Sequence, residues 1–272
     1  MKVHGVLRVY PGSRVDFPLP GVTKKDIVWM TVKSLAIASV GLDIRFTLLL
    51  DACPSSWGDE LKELLSNHEV EVIEFQGIGN GSTFVEQVKV IEADEMSEVM
   101  FFLEDDYIYL PESLHSTVEL FRHNSSVDFA TTYDHPDYDR LRFHRLKAPS
   151  IESEFVKWVP RRTTTCSFAV SRRAFHESKS VLLRYPELGD IGMWLCLTQR
   201  HADLPSRYAT LIRGTESVWI RQSLLKLMRS SFRQGGRASR IFTLYASRPS
   251  LSTHLHATYL GEGQNWNLEN YR

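Results

Sequence analysis

The sequence predicts an α/β fold: a mostly parallel central sheet sandwiched by helices. Over the first 110 residues, strand-like and helical-period runs follow one another as β-α-β-α-β-α-β. That alternation gives parallel strands joined by crossover helices. The fourth strand, Val99–Leu103, is continuously apolar, as a strand covered on both faces must be. It runs straight into Glu104-Asp105-Asp106. Adjacent carboxylates at the end of a buried strand repel one another and lose solvation, so they require a positive partner. A divalent cation carrying a phosphorylated ligand meets that need with one or two carboxylates. The plainer reading is a solvated acidic turn capping the next helix.

Each element has its own warrant. Val3–Val9 reads as the first strand and ends in the turn signal Tyr10-Pro11-Gly12, followed by Arg14, Asp16 and a Pro-rich loop to Gly21. Thr23 with Asp26 three residues on marks a helix start. Ile27, Val28, Val32, Leu35 and Ile37 then keep roughly helical spacing to about Val40. Arg45–Leu50 is a strand ending in Asp51, and Ser56–His68 an amphipathic helix with Leu61, Leu64 and Leu65 on one face. Glu69–Phe75 alternates acids with apolar residues as a third strand. After the glycine loop 77–81, Thr83 and Glu86 predict a capping box for a helix to about Ala93.

Beyond Pro111, Leu114, Val118 and Phe121 mark a helix and Val127–Thr132 a strand. Tyr133–Pro160 is aromatic, His-rich and weakly periodic, as functional loops are. Thr163–Val170 reads as a strand and Ser171 as the cap of the next helix. Glu187–Asp190 leads into a short helix over Ile191–Arg200, with Asp190 at its start. Residues 221–240 carry Arg221, Lys226, Arg229, Arg233, Arg237 and Arg240 around Gly235-Gly236. This basic segment reads as a loop closing over a donor diphosphate, as a solvated helix face, or as a patch touching anionic lipid. With no internal repeat or linker, one domain over 1–272 is expected.

Composition bounds the function. The net charge of −1 over 272 residues offers no field for nucleic acid. Cys53, Cys166 and Cys196 match no zinc or CxxC spacing, which implies free thiols in a reducing compartment. No run reaches the ~18 apolar residues of a membrane span, and Met1–Tyr10 lacks a signal peptide's apolar core. A cytoplasmic protein is expected, with peripheral membrane contact as a minor reading. Ligands of such sheets lie beyond the carboxyl ends of the strands. Tyr10, Arg14, Asp51, Asn80, Ser82 and Glu104 to Asp106 all fall at that edge.

Taken in order, Tyr10-Pro11, Asp51, Glu104-Asp105-Asp106, Asp190 and Thr253-His254-Leu255-His256 resemble the motif series of GT-A glycosyltransferases, over roughly residues 3 to 260. The resemblance implies a GT-A-like (Rossmann-like) fold, with a nucleotide-sugar-binding half in 1–110 and an acceptor and catalytic half in 111–272 that includes the basic segment 221–240. It implies transfer of a sugar from a nucleotide-diphosphate donor to an acceptor hydroxyl, with inversion. It implies Mn²⁺ or Mg²⁺ held by Asp106, at the DxD-type position, and by His254, with His256 as the alternative. Asp105 would reach the metal through water or hold the ribose, and Glu104 would support the site. Tyr10 and Asp51 would contact the nucleoside, with Asn80, Ser82 and Arg14 along the same donor edge. Asp190 would be the catalytic base, and Trp194 would stack on a sugar face or be helix core. The acceptor stays open among glycan, lipid-linked and small-molecule classes. Two departures stand out: Arg8-Val9-Tyr10-Pro11 replaces the usual Pro-xx-Asn, and Gln87 or Lys89 stands nearest to the arginine of the helix before the acidic motif. The alternatives are a nucleotidyltransferase on a similar fold, against which the single glycine of Tyr10–Arg14 counts, and a non-catalytic nucleotide- or sugar-binding module.

Overall fold

In chain order the elements are β1 (Val3–Val9), α1 (Lys24–Ala38), β2 (Ile44–Asp51), α2 (Ser56–Leu64), β3 (Glu69–Phe75), α3 (Asn80–Ala93), β4 (Val99–Glu104), β5 (Tyr107–Tyr109), α4 (Ser113–His123), β6 (Phe129–Thr131), α5 (Asp137–Arg140), β7 (Ile151–Glu152), β8 (Lys157–Pro160), β9 (Phe168–Ser171), α6 (Arg172–Leu182), α7 (Tyr185–Gln199), β10 (Leu244–Arg248) and β11 (Ser252–His254). This computed structural model describes residues 1–12, 16–141, 144, 146, 148–154, 156–199, 222 and 240–272.

Nine strands form one sheet in the order β3-β2-β1-β4-β9-β6-β10-β8-β7, and β5 pairs with β11 in a small second sheet. The half containing β3, β2, β1 and β4 is wholly parallel. Beyond β4 the pairing is mixed, antiparallel at β9 and parallel again between β6 and β10. Because side chains alternate along a strand, each strand feeds two cores. Val3, Leu7 and Val9 of β1 and Val99, Phe101 and Leu103 of β4 pack in one core with α1, α2 and α4. Val6, Met100 and Phe102 face the other core, with Phe84 and Val88 of α3 and residues of α6 and α7. Burial of each such side chain contributes about 1.5–3 kcal/mol. The same alternation puts Arg8 and Glu104 on the α3/α7 side, where they are paired residues in the β1–β4 register.

Several local expectations change. Thr23 and Asp26 do form a capping box at α1, but Thr83 does not cap α3. That helix opens at Asn80, after Gly79 turns the chain with φ 85°. The Thr83 hydroxyl instead donates back to the Gly79 and Asn80 carbonyls, which competes with a capping role. The 133–160 stretch, read as a loop, holds α5, β7 and β8. Strand β5 was hidden in the residues after the acids. Of the basic 221–240 segment only Gln222 and Arg240 are described, and the lid and lipid readings lie otherwise outside the described residues. Arg240 itself is engaged with buried Asp128 and with Glu177, a packing role.

Candidate active site

The acids Glu104, Asp105 and Asp106 are each paired with a basic side chain, and each partner comes from a different element. Glu104 Oε1 accepts from Arg8 Nη2 at 2.9 Å. Asp105 Oδ1 accepts from Lys24 Nζ at 2.6 Å, and its Oδ2 from the Tyr10 backbone N–H at 2.7 Å. Asp106 Oδ2 lies 3.2 Å from His254 Nε2. The β5–β11 pairing creates the last contact, because it aligns His254 with Tyr107, the residue after Asp106. Burial pushes the Glu104 carboxyl up to about 7 against the pull of Arg8, helped by the Asp106 and Asp190 charges. Burial would also raise Asp106, but His254, Lys24 and Arg8 together outweigh it and hold that carboxyl low. His254 moves the opposite way: burial would lower it, and Asp106 and Glu104 together raise it.

Arg8 organises more than Glu104. Its Nη1 donates to the carbonyl oxygen of Asn80 at 3.1 Å and to the Asn80 side-chain oxygen, while Asn80 Nδ2 donates to the Tyr185 hydroxyl at 3.2 Å. One buried guanidinium, stacked over Phe84, therefore fixes the end of β4 to the start of α3 and the start of α7. Within α7, Gly189 has φ 64°, a left-handed conformation that suits a residue without a side chain. The break starts a new helical segment at Asp190, as the sequence predicts. Asp190 Oδ1 accepts from the Cys166 thiol at 3.2 Å. Burial and the Asp190 charge keep that thiol protonated.

The remaining expected site residues fall into different places. Asp51 is buried and accepts three backbone N–H groups: Gly77 and Ile78 on Oδ1 at 2.8 Å each, and Gly79 on Oδ2 at 2.7 Å. Its carboxylate thus builds the loop into α3, where a nucleoside contact was expected. Asp105, expected on a metal or ribose, gives both oxygens to Lys24 and Tyr10. The Tyr10 ring, just after β1, and Ser82, in the first turn of α3, are exposed. Trp194 is corrected to core: it is fully buried, its Nε1 donates to the Thr165 carbonyl, and it packs against Phe129 and Phe168. A sugar cannot reach it. His254, rather than His256, meets Asp106, and His256 Nδ1 accepts from the Thr258 N–H at 3.1 Å. Arg14 lies outside the described residues.

Sequence reasoning missed Arg8 and Lys24. Arg8 carried a signal: an arginine within a strand buried along its whole length must find an acid, and parallel register places Glu104 beside it. Lys24 had none, since a lysine opening a helix reads as solvated. Gln87, offered as a stand-in for a missing arginine, is instead fully buried and donates from Nε2 to the Val6 and Leu103 carbonyls, bridging β1 and β4. Lys89 pairs with Glu86 on the surface.

Among the described residues, no three His, Cys, Asp or Glu side chains are placed to cage a metal alone. A two-ligand site fits better. Right-angled bonds of about 2.1 Å set neighbouring ligand atoms about 3.0 Å apart, close to the 3.2 Å between Asp106 Oδ2 and His254 Nε2. Mg²⁺ in nucleotide sites takes few protein ligands and completes its shell with phosphate and water.

No protein-family model and no curated protein matches the sequence. Solved structures are similar in chain trace. Residues 1–349 of S. aureus TarS in complex with UDP share 11% identity over 92% of this chain and 61% of that chain, with a TM-score of 0.44. The chain spans about 60% of that fragment's length. CMP:2-keto-3-deoxy-manno-octonic acid synthetase complexed with CTP shares 12% identity over 92% of each chain, TM-score 0.44. A 4-diphosphocytidyl-2C-methyl-D-erythritol synthase from Anaerococcus prevotii shares 10% identity over 92% of this chain and 90% of that chain, TM-score 0.41. Likenesses this distant concern the course of the chain and say nothing of these side chains. No helix among the described residues is long and apolar enough to cross a membrane.

Proposed function

We propose that the chain is a glycosyltransferase that moves a sugar from a nucleotide-diphosphate donor to an acceptor hydroxyl, with inversion. The observation that supports this reading is the placing of two different carboxylates, Asp106 and Asp190, near Glu104. Asp106 is paired with His254 at 3.2 Å, and Asp190 lies close enough to Glu104 for its charge to raise that group. The first suits a diphosphate leaving group and the second suits proton removal.

Asp106 and His254 are the residues that would hold Mn²⁺ or Mg²⁺, which when bound neutralises charge developing on the leaving diphosphate. The residues of the chain supply the rest. Asp190 Oδ2, which accepts no hydrogen bond among the described residues, takes the proton of the acceptor hydroxyl as it attacks the anomeric carbon. The Cys166 thiol on Oδ1 fixes the carboxylate's orientation. Arg8 holds Glu104 at the floor and locks the α3 and α7 ends that frame the site. The exposed Tyr10 ring offers a face for the nucleobase, while Asp51 acts indirectly by shaping the 77–79 loop. The cytoplasmic assignment rests on the free thiols Cys53, Cys166 and Cys196.

Nucleotidyl transfer is the second reading, favoured by Lys24, whose ammonium at Asp105 could meet a triphosphate. Product analysis separates them. Glycosyl transfer releases a nucleoside diphosphate, whereas nucleotidyl transfer from a triphosphate and a sugar phosphate releases pyrophosphate. Asp190→Asn should leave donor binding intact while turnover falls by about 10²–10⁴. Full turnover in Asp190→Asn would remove that residue from the chemistry.

A further inference from the structure

Beside the Asp106–His254 pair, six rings close on themselves. His254 stacks on Tyr107 with centroids 5.0 Å apart, Tyr107 meets Tyr133 at 5.5 Å and Tyr133 meets His135 at 5.4 Å. His135 meets Tyr259 at 5.2 Å, Tyr259 meets His256 at 4.7 Å, and His256 returns to His254 at 5.7 Å. Tyr107 and Tyr133 are buried and form the floor. Their hydroxyls donate to Thr165 Oγ1 and to the Tyr259 carbonyl. The four other rings are partly open to solvent. A plain core cluster would bury all six.

The outer imidazoles are held in one tautomer. The Asp137 N–H donates to His135 Nδ1 at 3.0 Å, and the Thr258 N–H to His256 Nδ1 at 3.1 Å. Each neutral ring therefore carries its own hydrogen on Nε2. Burial pushes His135 down to about 4. Carboxylates stand at both sides: Asp137 has Oδ2 3.8 Å from His135 Nδ1, and exposed Asp16 acts on His256 from a loop tied to Ala257.

We propose that His135, His256 and Tyr259 form the acceptor subsite and that the acceptor it takes is a neutral sugar. The ring faces match the apolar C–H face of a pyranose. The outward N–H donors and flanking carboxylates match its hydroxyls, which both donate and accept. An anionic acceptor would meet the Asp137 and Asp16 carboxylates, while the nearby basic groups already face acids, Arg140 towards Glu262 and His254 towards Asp106. The proposal rests on the glycosyl-transfer reading and names the class of its second substrate.

The test is saturation-transfer NMR on the full chain. The probes are neutral mono- and disaccharides and, for comparison, glucose 6-phosphate and a uronic acid, each with and without a nucleoside diphosphate. A neutral sugar should bind through its ring C–H face, while the anionic sugars do not. Tyr259→Ala and His135→Ala should each weaken binding about tenfold, and Tyr259→Phe, which keeps the ring, by less than about twofold. Melting temperatures establish that each variant folds, and His135→Ala carries the test if Tyr259→Ala does not. Failure of every neutral sugar to bind, binding unchanged in both alanine variants, or a preference for the anionic sugars would overturn the proposal. The two readings fail separately. Sugar bound at these rings with no nucleotide bound anywhere would remove glycosyl transfer and keep the subsite. Transfer with an acceptor KM unchanged in both alanine variants would do the reverse.

Discussion

Arg8→Met removes the guanidinium that Glu104 and Asn80 share while keeping most of its apolar stem over Phe84. Breaking a buried ion pair by deleting one partner costs about 3–5 kcal/mol. Arg8 is only 6% exposed, but the Glu104 side chain is 26% exposed, so water recovers part of the loss. We expect about 2–3 kcal/mol of destabilisation. Glu104→Gln keeps an acceptor for Arg8 and should cost about 1 kcal/mol. The two changes share one interaction, so the double variant should fall short of their sum by about 1–2 kcal/mol. Urea unfolding of the three variants, followed by tryptophan fluorescence and circular dichroism, measures this coupling. A coupling under about 0.5 kcal/mol would mean that the pair contributes nothing specific and that Arg8 does not hold β4 to α3.

Other expectations follow from single contacts. Asp51→Asn replaces a three-bond acceptor with a side chain bearing one acceptor oxygen, leaving at least one loop N–H unpaired. It should cost about 1–3 kcal/mol and speed hydrogen exchange at Gly77–Gly79; unchanged exchange would deny Asp51 its loop-building role. At the opposite end of β1, His4 is fully buried with Nδ1 2.9 Å from Asp94 Oδ2, and burial with the nearby Arg45 charge lowers it from 6.5 to about 4. A folded value below the unfolded one means the unfolded chain takes the proton first. Stability should therefore be full above about pH 6.5 and decline by about 3 kcal/mol as pH falls to 4. His4→Gln should flatten that decline, and an equal slope in wild type and variant would refute the assignment.

The fold was largely legible because its first half obeys simple periodicities. Val3–Val9 and Glu69–Phe75 appear with the boundaries the pattern gave, since a strand's burial is written in its alternation or its continuous apolarity. What stayed hidden was long-range pairing. Strand β5 is three residues long and draws its partner from β11, over 140 residues later, so no local pattern announces it; yet that pairing puts His254 on Asp106. The acids at 104–106 were visible as a cluster needing charge compensation. Their partners were not, because Arg8, Lys24 and His254 come from three separate elements. Asp51 was visible as a strand-end acid, but its role depends on backbone N–H groups, which carry no sequence signature of their own. Trp194 could be read either as core or as a sugar platform, and only tertiary packing separates the two.

The central claim is that Asp106 and His254 hold a divalent cation for a nucleotide-diphosphate donor. Thermal unfolding of the chain with each nucleoside diphosphate, in the presence and absence of Mn²⁺ or Mg²⁺, tests it most directly, because a ligand bound only to the folded state raises the melting temperature. The expected result is one nucleotide that stabilises only with metal, and that loses its effect in Asp106→Ala and in His254→Ala. No stabilisation by any nucleotide, or a metal effect that survives both substitutions, would contradict the account and leave the acids of β4 as a charge-paired structural turn.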